Sequence, residues 1–546
     1  MAMNLVPSCR PVVYYGALMA VPRPLRSGVL PRPGPTVQLG VLAELMLVGG
    51  LLALALAVRW PNLLLSPQFP SVGATVLKAL DIADGRALPL ADQAPYLGGP
   101  FMYLLAFVFK LFGPSVEATL LVPWAIGGLT IVPTYLLGRE LGGRAAGLLA
   151  AALLATSAAH TVVTSHVPLS HSLTPFIATT TLWLLARAVV RVEGGSLALA
   201  GLGAGLSLQT HPTIAPLLSG AVVAAFLARP SWSRTRWPYL AVMLVLTGYG
   251  TLFVHHIQTH FEVVGDIQAK EARYLDADTD PGEDAEHVYV NNLERLSLSL
   301  ARLTSGAISE PDADDGYLRD PSIVAYAALG LGGLVLAARR GNPLLLLALL
   351  AAVLLPPLLS GKYKPVLDGR YLMPLVPVMF VGIGLVWGAA ARALAPSRAG
   401  LAGAAALAIF GVVLVFQPLT LLADFYEDTQ ENGLSNALYL STRSQVRAAQ
   451  SDEPVLLDAR LRDVKSVGGG NAGSNFAWLL AVSREPAEVW HDGDDPSALV
   501  GRLAILHRAT ADRLDEQLEL TPLDGRRSNG RDRQSYRAYL VGPRPT

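Results

Sequence analysis

Cysteine is nearly missing from this 546-residue chain, with Cys9 standing alone. A single thiol makes no internal disulfide and no thiolate metal site. Charge is also scarce, at 15% of residues, and 42 acidic side chains balance 42 basic ones. That balance, with aromatics at only 7%, leaves nothing basic and aromatic enough for a nucleic-acid surface. What fills the space instead is hydrophobic: 52% of residues, with a mean hydropathy of +0.42. A chain of that composition is a polytopic membrane protein and not a soluble enzyme.

Apolar runs long enough to cross a bilayer, with one short pair allowed as a helical hairpin, number about eleven: 37–58, 116–138, 145–165, 172–190, 197–210, 213–228, 239–257, 322–338, 343–360, 371–391 and 400–416. His211-Pro212 marks the turn of the hairpin. Arginines then fall in alternate loops. Arg10, Arg23, Arg26 and Arg32, then Arg139 and Arg144, Arg187 and Arg191, Arg229, Arg234 and Arg236, Arg339 and Arg340, and Arg392 and Arg398 all reach one side, which the positive-inside rule makes cytoplasmic. Residues 1–36 have no long apolar core before a small-residue cleavage site and read as a cytoplasmic tail. Residues 37–416 form the membrane domain, with external loops at 59–115, 258–321 and 361–370, and residues 417–546 form an external domain. The expected location is the cell membrane, with the working face outside.

The loop after the first span, Ser66 to Gly113, is too polar to cross a bilayer and too apolar to float free. Val72, Val76, Leu80 and Ala83 recur on one face of a short helix, with Lys78 and Asp81 facing away. Phe101 to Phe112 is a second apolar run, shorter than the roughly 20 residues a span needs, and belongs at the interface. Past 416 the patterning becomes mixed. PVLLDARL, AEVWHD and YRAYLVG read as strands, and NFAWLLAVS and SALVGRLAILHRA as helices, predicting a small α/β domain. Gly468-Gly469-Gly470-Asn471 lacks a nucleotide-loop pattern and reads as a plain loop. The fold class is therefore mainly α: a membrane helix bundle with two interfacial helices and a C-terminal α/β domain.

The two interfacial helices, the hairpin near His211 and the external stretch KYKPVLDGRYLMPLVP (Lys362 to Pro377) together resemble the GT-C glycosyltransferases, and within them the family 39-like group of protein O-mannosyltransferases and aminoarabinose transferases. The likeness covers roughly residues 37 to 391. It implies transfer of a hexose from a polyprenyl-phosphate carrier, with inversion, to a glycan, lipid or protein acceptor on the outer face. Such chemistry needs a base for the acceptor hydroxyl, cations for the leaving phosphate and an apolar groove for the isoprenoid. Lys362, Lys364 and Arg370 crowd one short external loop, where the positive-inside rule predicts few cations. The resemblance assigns them, with the Arg370-Tyr371 pair, to the lipid phosphate, and sets His211 and Tyr371 in the pocket.

The base is where this sequence departs from the group. The family's Asp-Glu pair on the first interfacial helix aligns with Ser71 and Val72; a second acidic position aligns with Gly98-Gly99, and an Asp-Pro in span four with Thr174-Pro175. Asp92, in a loop able to reach over the groove, is the leading substitute, with Asp81 and Ser71 as further catalytic candidates. Ser71 would need a partner base. Histidine is the other source of a base: His160, His166, His171, His211, His255, His256 and His260 all fall at predicted external helix ends. His256 and His260 are spaced i, i+4, a ligand spacing that makes them the weak candidates for a divalent cation; no cofactor is otherwise expected. The acidic run Asp276 to Glu286, with Asp312, Asp314 and Asp315, lacks calcium-loop spacing and reads as a solvated loop. Glu44, inside span one, is expected to snorkel to the near interface. The rival expectation is a noncatalytic protein that binds a polyprenyl-linked glycan or supports a partner enzyme.

Overall fold

Each of the eleven apolar segments is helical in the computed structural model, which describes residues 40–60, 63, 72–92, 94–266, 268, 285–307, 320–359, 369–394, 398–432, 454–462, 480–482, 487–491, 493–522 and 536–544. The helices are α1 (Val41–Arg59), α2 (Val72–Ala83), α3 (Pro100–Phe112), α4 (Val116–Leu129), α5 (Ile131–Gly142), α6 (Arg144–Thr156), α7 (Ala158–Ser165), α8 (Ser170–Arg191), α9 (Gly194–Thr210), α10 (Ala215–Ala228), α11 (Trp237–Gln258), α12 (Ala285–Ser305), α13 (Pro321–Arg339), α14 (Leu344–Leu354), α15 (Val376–Leu394) and α16 (Arg398–Asn432). Among the described residues, seven helical stretches are long and apolar enough to cross a membrane, and an eighth if the bent pair α6 and α7 counts as one. The bend of 64° falls at Ser157, whose extended backbone breaks the helix while its side chain accepts from the His160 N–H and caps α7. The other three segments, α9, Pro212–Ala228 and Leu344–Leu358, are shorter helices packed within the bundle.

Small residues set the closest contacts. Gly205 on α9 meets α11 so tightly that a Cβ there would lie 2.2 Å from the Val245 carbonyl oxygen. In lipid no hydrophobic force separates helix from solvent, so such backbone contact supplies much of the packing.

The arginine-rich end is tied together by carboxylates. Glu44 does not snorkel. It is buried, with Arg139 Nε at 2.9 Å and Arg144 Nε at 2.7 Å, and it accepts from the Tyr135 hydroxyl. Cations from α5 and α6 reach it across the bundle, which sequence spacing on α1 cannot reveal. Arg191 pairs with Glu140 at 2.7 Å, Arg187 with Glu193 at 2.7 Å, and Arg392 donates to the Gly142 carbonyl at 2.8 Å. Arg187 holds the Glu193 carboxyl below its ordinary value, with help from Ser196.

At the opposite end, α2 and α3 pack on each other through Val76, Leu80, Phe101, Leu105 and Phe109, as the apolar spacing predicts. Lys78 departs from expectation: instead of facing away, it donates to the carbonyls of Ala91 and Asp92 at 3.1 and 2.8 Å. The last apolar helix also departs, running unbroken past 416 to Asn432, because Leu422 and Tyr426 continue its apolar face onto Ala158 and Val162 of α7.

The C-terminal residues form a mixed five-stranded sheet in the order β2-β1-β3-β5-β4, with β1 at Val455–Asp458, β2 at Ala487–Trp490, β3 at Leu503–His507, β4 at Leu518–Pro522 and β5 at Tyr536–Pro543. The helix expected over SALVGRLAILHRA is instead β3 followed by α17 (Arg508–Leu514). Leu503 to Leu506 are all buried between β1 and β5, and a short run buried on both faces reads from sequence as either strand or helix. Val455, Leu457, Leu503, Ile505 and Ala538 share one apolar cluster with α2 and α3, so the sheet sits on the interfacial helices. The N-terminal tail, Ser71, Lys362, Lys364 and the Gly468 to Asn471 run lie outside the described residues, as do the side chains of the acidic run from Asp276 to Glu286 and Asp312, Asp314 and Asp315.

Candidate active site

Pro212 cannot continue α9, so the chain turns at His211 with extended backbone, φ −165° and ψ 137°. The His211 ring then caps the next turn: Nδ1 accepts from the Thr213 N–H at 3.2 Å and lies 2.8 Å from Thr213 Oγ1. With Nδ1 accepting, the ring proton of a neutral His211 sits on Nε2. Gln209, two residues back, is held by Gly248 and by Thr251, whose hydroxyl donates to Gln209 Oε1 at 2.8 Å.

The loop from 91 to 98 closes over this tip. Gly98 N–H donates to the Gln209 carbonyl at 2.8 Å, and a Cβ at Gly98 would lie 2.2 Å from Gln209 Oε1. A side chain is therefore excluded where the family resemblance places an acid. Tyr96 turns its ring edge to His211, 6.1 Å between centroids.

Two more segments complete the cluster. His171, in the first turn of α8, lies 4.4 Å from the His211 ring and 5.1 Å from that of Tyr371, and Tyr371 is 4.7 Å from His211. The Arg370 guanidinium sits 5.0 Å over the Tyr371 ring. His171 is 6% exposed, and neither ring nitrogen has a hydrogen-bond partner among the described residues. One helical turn further, Thr174 donates to Thr210 Oγ1 at 2.9 Å and pins α8 to the hairpin. Beside Tyr371, a small pocket is lined mostly by apolar side chains, among them Ile214, Leu217, Leu296, Ala352, Pro356 and Leu375.

The predicted residues fare unequally. His211, Arg370 and Tyr371 come together. Asp92 is only 4% exposed and turns to α2, where Thr75 Oγ1 lies 2.9 Å from each carboxylate oxygen. Asp81 lies on the outer side of α2 with its side chain 43% exposed, paired with Arg86 at 2.7 Å. Val72 opens α2, and Ser71 just before it is not described. His256 and His260 do not share a helix face, because α11 ends at Gln258 and His260 has φ +51°. His256 instead faces the Tyr249 hydroxyl at 3.2 Å, and no group of three or more metal-ligating side chains gathers among the described residues. Sequence reasoning missed the convergence of His171 and Tyr96 on His211. The available signal was that His171 precedes Thr174 by three residues and so shares its helix face.

The arrangement invites comparison with known proteins. The family model for dolichyl-phosphate-mannose-protein mannosyltransferase matches residues 99–252. The structure of ArnT from Cupriavidus metallidurans bound to undecaprenyl phosphate superposes over 91% of this chain and 98% of that one, with a TM-score of 0.57 and 14% identity. The archaeal oligosaccharyltransferase AglB from Archaeoglobus fulgidus, in complex with an inhibitory peptide and a dolichol-phosphate, superposes over 81% of this chain and 64% of that one, at a TM-score of 0.50 and 13% identity. The chain has the GT-C fold. No curated protein sequence matches it significantly.

Within this GT-C fold the unusual feature is local. Gly98 and Thr174, two of the positions where the resemblance expects acids, both touch the Gln209 to His211 tip. Imidazoles and phenols occupy the space beside them.

Proposed function

We propose that this protein transfers a hexose from a polyprenyl-phosphate carrier to an acceptor hydroxyl on the outer face of the membrane, with inversion at the anomeric carbon. The observation that carries the reading is the Arg370 guanidinium over the ring of Tyr371, a residue that lines a small apolar pocket and stands beside two buried imidazoles. A guanidinium meets a phosphate through paired, charge-assisted N–H donors. Lys362 and Lys364, a few residues upstream, add charge to the same loop. The gathering of arginines at the end away from Arg370 supports the outer-face assignment, since the positive-inside rule favours a cytoplasmic side for them. The acceptor is a glycan, a lipid or a protein.

The missing Asp-Glu at Ser71-Val72, with the missing acids at Gly98 and Thr174, favours one second reading, a noncatalytic protein that binds the carrier without cleaving it or supports a partner enzyme. The test is release of polyprenyl phosphate from a synthetic polyprenyl-phosphate mannose, and from the glucose analogue, by full-length protein in nanodiscs. Under the transferase reading wild type releases the carrier and Arg370→Ala weakens carrier binding by about 10- to 100-fold, the range for a charge-assisted contact. Tight, Arg370-dependent binding with no release moves the protein to the second reading.

A further inference from the structure

We propose that His171 is the catalytic base, a role that rests on the transferase reading above. The described carboxylates near the site are otherwise engaged. Asp92 is buried and turned to Thr75, and Asp81 is paired with Arg86 on the outer side of α2. His211 is committed as well, because its Nδ1 lone pair is taken by the Thr213 N–H and its Nε2 carries the proton. It offers a donor to the site and no acceptor.

His171 differs from all of them. Its ring is buried, and both nitrogens lack a hydrogen-bond partner among the described residues. Burying two unsatisfied polar atoms is costly unless something outside the protein completes them. A neutral imidazole presents one lone pair and one N–H, which suits a hydroxyl that must be held and then deprotonated. The position fits the geometry of displacement. His171 and the Arg370 guanidinium each lie about 5 Å from the Tyr371 ring, so base and phosphate holder stand within the reach of one hexose.

The step balances as follows. The acceptor O–H gives its proton to the unprotonated nitrogen of His171. The acceptor oxygen forms a bond to the anomeric carbon as the bond from that carbon to the carrier phosphate oxygen breaks. The bonding pair stays on the phosphate, beside Arg370, and the imidazolium at 171 later returns its proton to solvent.

The experiment follows release of polyprenyl phosphate from synthetic polyprenyl-phosphate mannose by the full chain in nanodiscs, with water as acceptor, and separately the binding of polyprenyl phosphate alone. His171→Gln, which keeps volume and polarity, is expected to lose roughly 100-fold or more in release, the range for a general base, while carrier binding stays unchanged. His171→Gly is expected to regain activity when imidazole is added, which a purely structural loss would not. Release retained by His171→Gln, or lost together with carrier binding and without imidazole rescue, overturns the base assignment and leaves the transferase reading intact. If wild type binds the carrier and releases nothing, the transferase reading falls and this proposal falls with it.

Discussion

Helix α1 carries two ionisable side chains, one near each end, and the protein buries them in opposite ways. Glu44 is neutralised by Arg139 and Arg144 and also receives the Tyr135 hydroxyl. Arg59 is fully buried, yet its partners among the described residues are neutral: the carbonyls of Ala55 and Ala155, and His160 Nδ1 at 2.9 Å. Close by, His166 Nε2 meets the Tyr426 hydroxyl at 2.6 Å, and α7, which carries His160, packs against the Gly369–Tyr371 turn. One end of the bundle thus closes its charges internally. The other keeps positive charge among imidazoles and phenols, next to the turn that holds Arg370.

The largest consequence concerns those two residues. Glu44→Gln leaves two guanidinium groups facing each other, and since these are over one-third exposed the expected cost is about 2 kcal/mol, below the range for a fully buried pair. Arg59→Met, which removes a buried charge that no acid matches among the described residues, is expected to change stability by less than about 1 kcal/mol. Melting temperatures in detergent compare the two directly. Equal or reversed losses would mean that the ends are equivalent.

A smaller effect belongs to Asp92. Its carboxylate ties the loop over His211 to α2 through Thr75, and Asp92→Asn keeps one acceptor oxygen while removing the charge. About 1 kcal/mol of local stability should be lost, visible as faster proteolytic cleavage between Pro89 and Gly98. Unchanged cleavage would show that the latch depends on Gly98 and Lys78 alone.

The smallest effect is expected from Glu193 at the closed end. Arg187 lowers its carboxyl value on folding, so its stabilising contribution is present at neutral pH and is lost as the pH falls through that lowered value. A melting profile between neutral and acidic pH should be slightly flatter for Glu193→Gln than for wild type, and salt should shrink the difference. A salt-independent slope would assign the profile to other carboxylates.

Much of the bundle is legible in the sequence because crossing a bilayer imposes one strong rule: backbone groups must be satisfied within the segment, so the segment is helical and apolar throughout. That rule locates all eleven helical segments and, with the arginine pattern, gives α2 and α3 as interfacial pieces. It says nothing about which faces meet. Lys78 and Asp81, both expected to face away, end in different places because only the fold brings the Ala91 and Asp92 carbonyls over Lys78. β3 was unreadable for a related reason: Leu503 to Leu506 owe their strand form to the neighbours β1 and β5.

By itself the sequence determines the order of the apolar helices, the hairpin turn at His211-Pro212 and the clustering of Lys362, Lys364 and Arg370 in one loop, since these depend on local composition and chain stiffness, whereas the helix Ala285–Ser305 lies in a segment that reads as a polar loop. Tertiary structure alone decides that His171, His211, Tyr96 and Tyr371, drawn from four separate segments, share one site, and that Asp92 turns away from it. Those contacts span up to 200 residues, between His171 and Tyr371. No periodicity encodes such separations, because they arise from how whole helices pack and where a loop is latched.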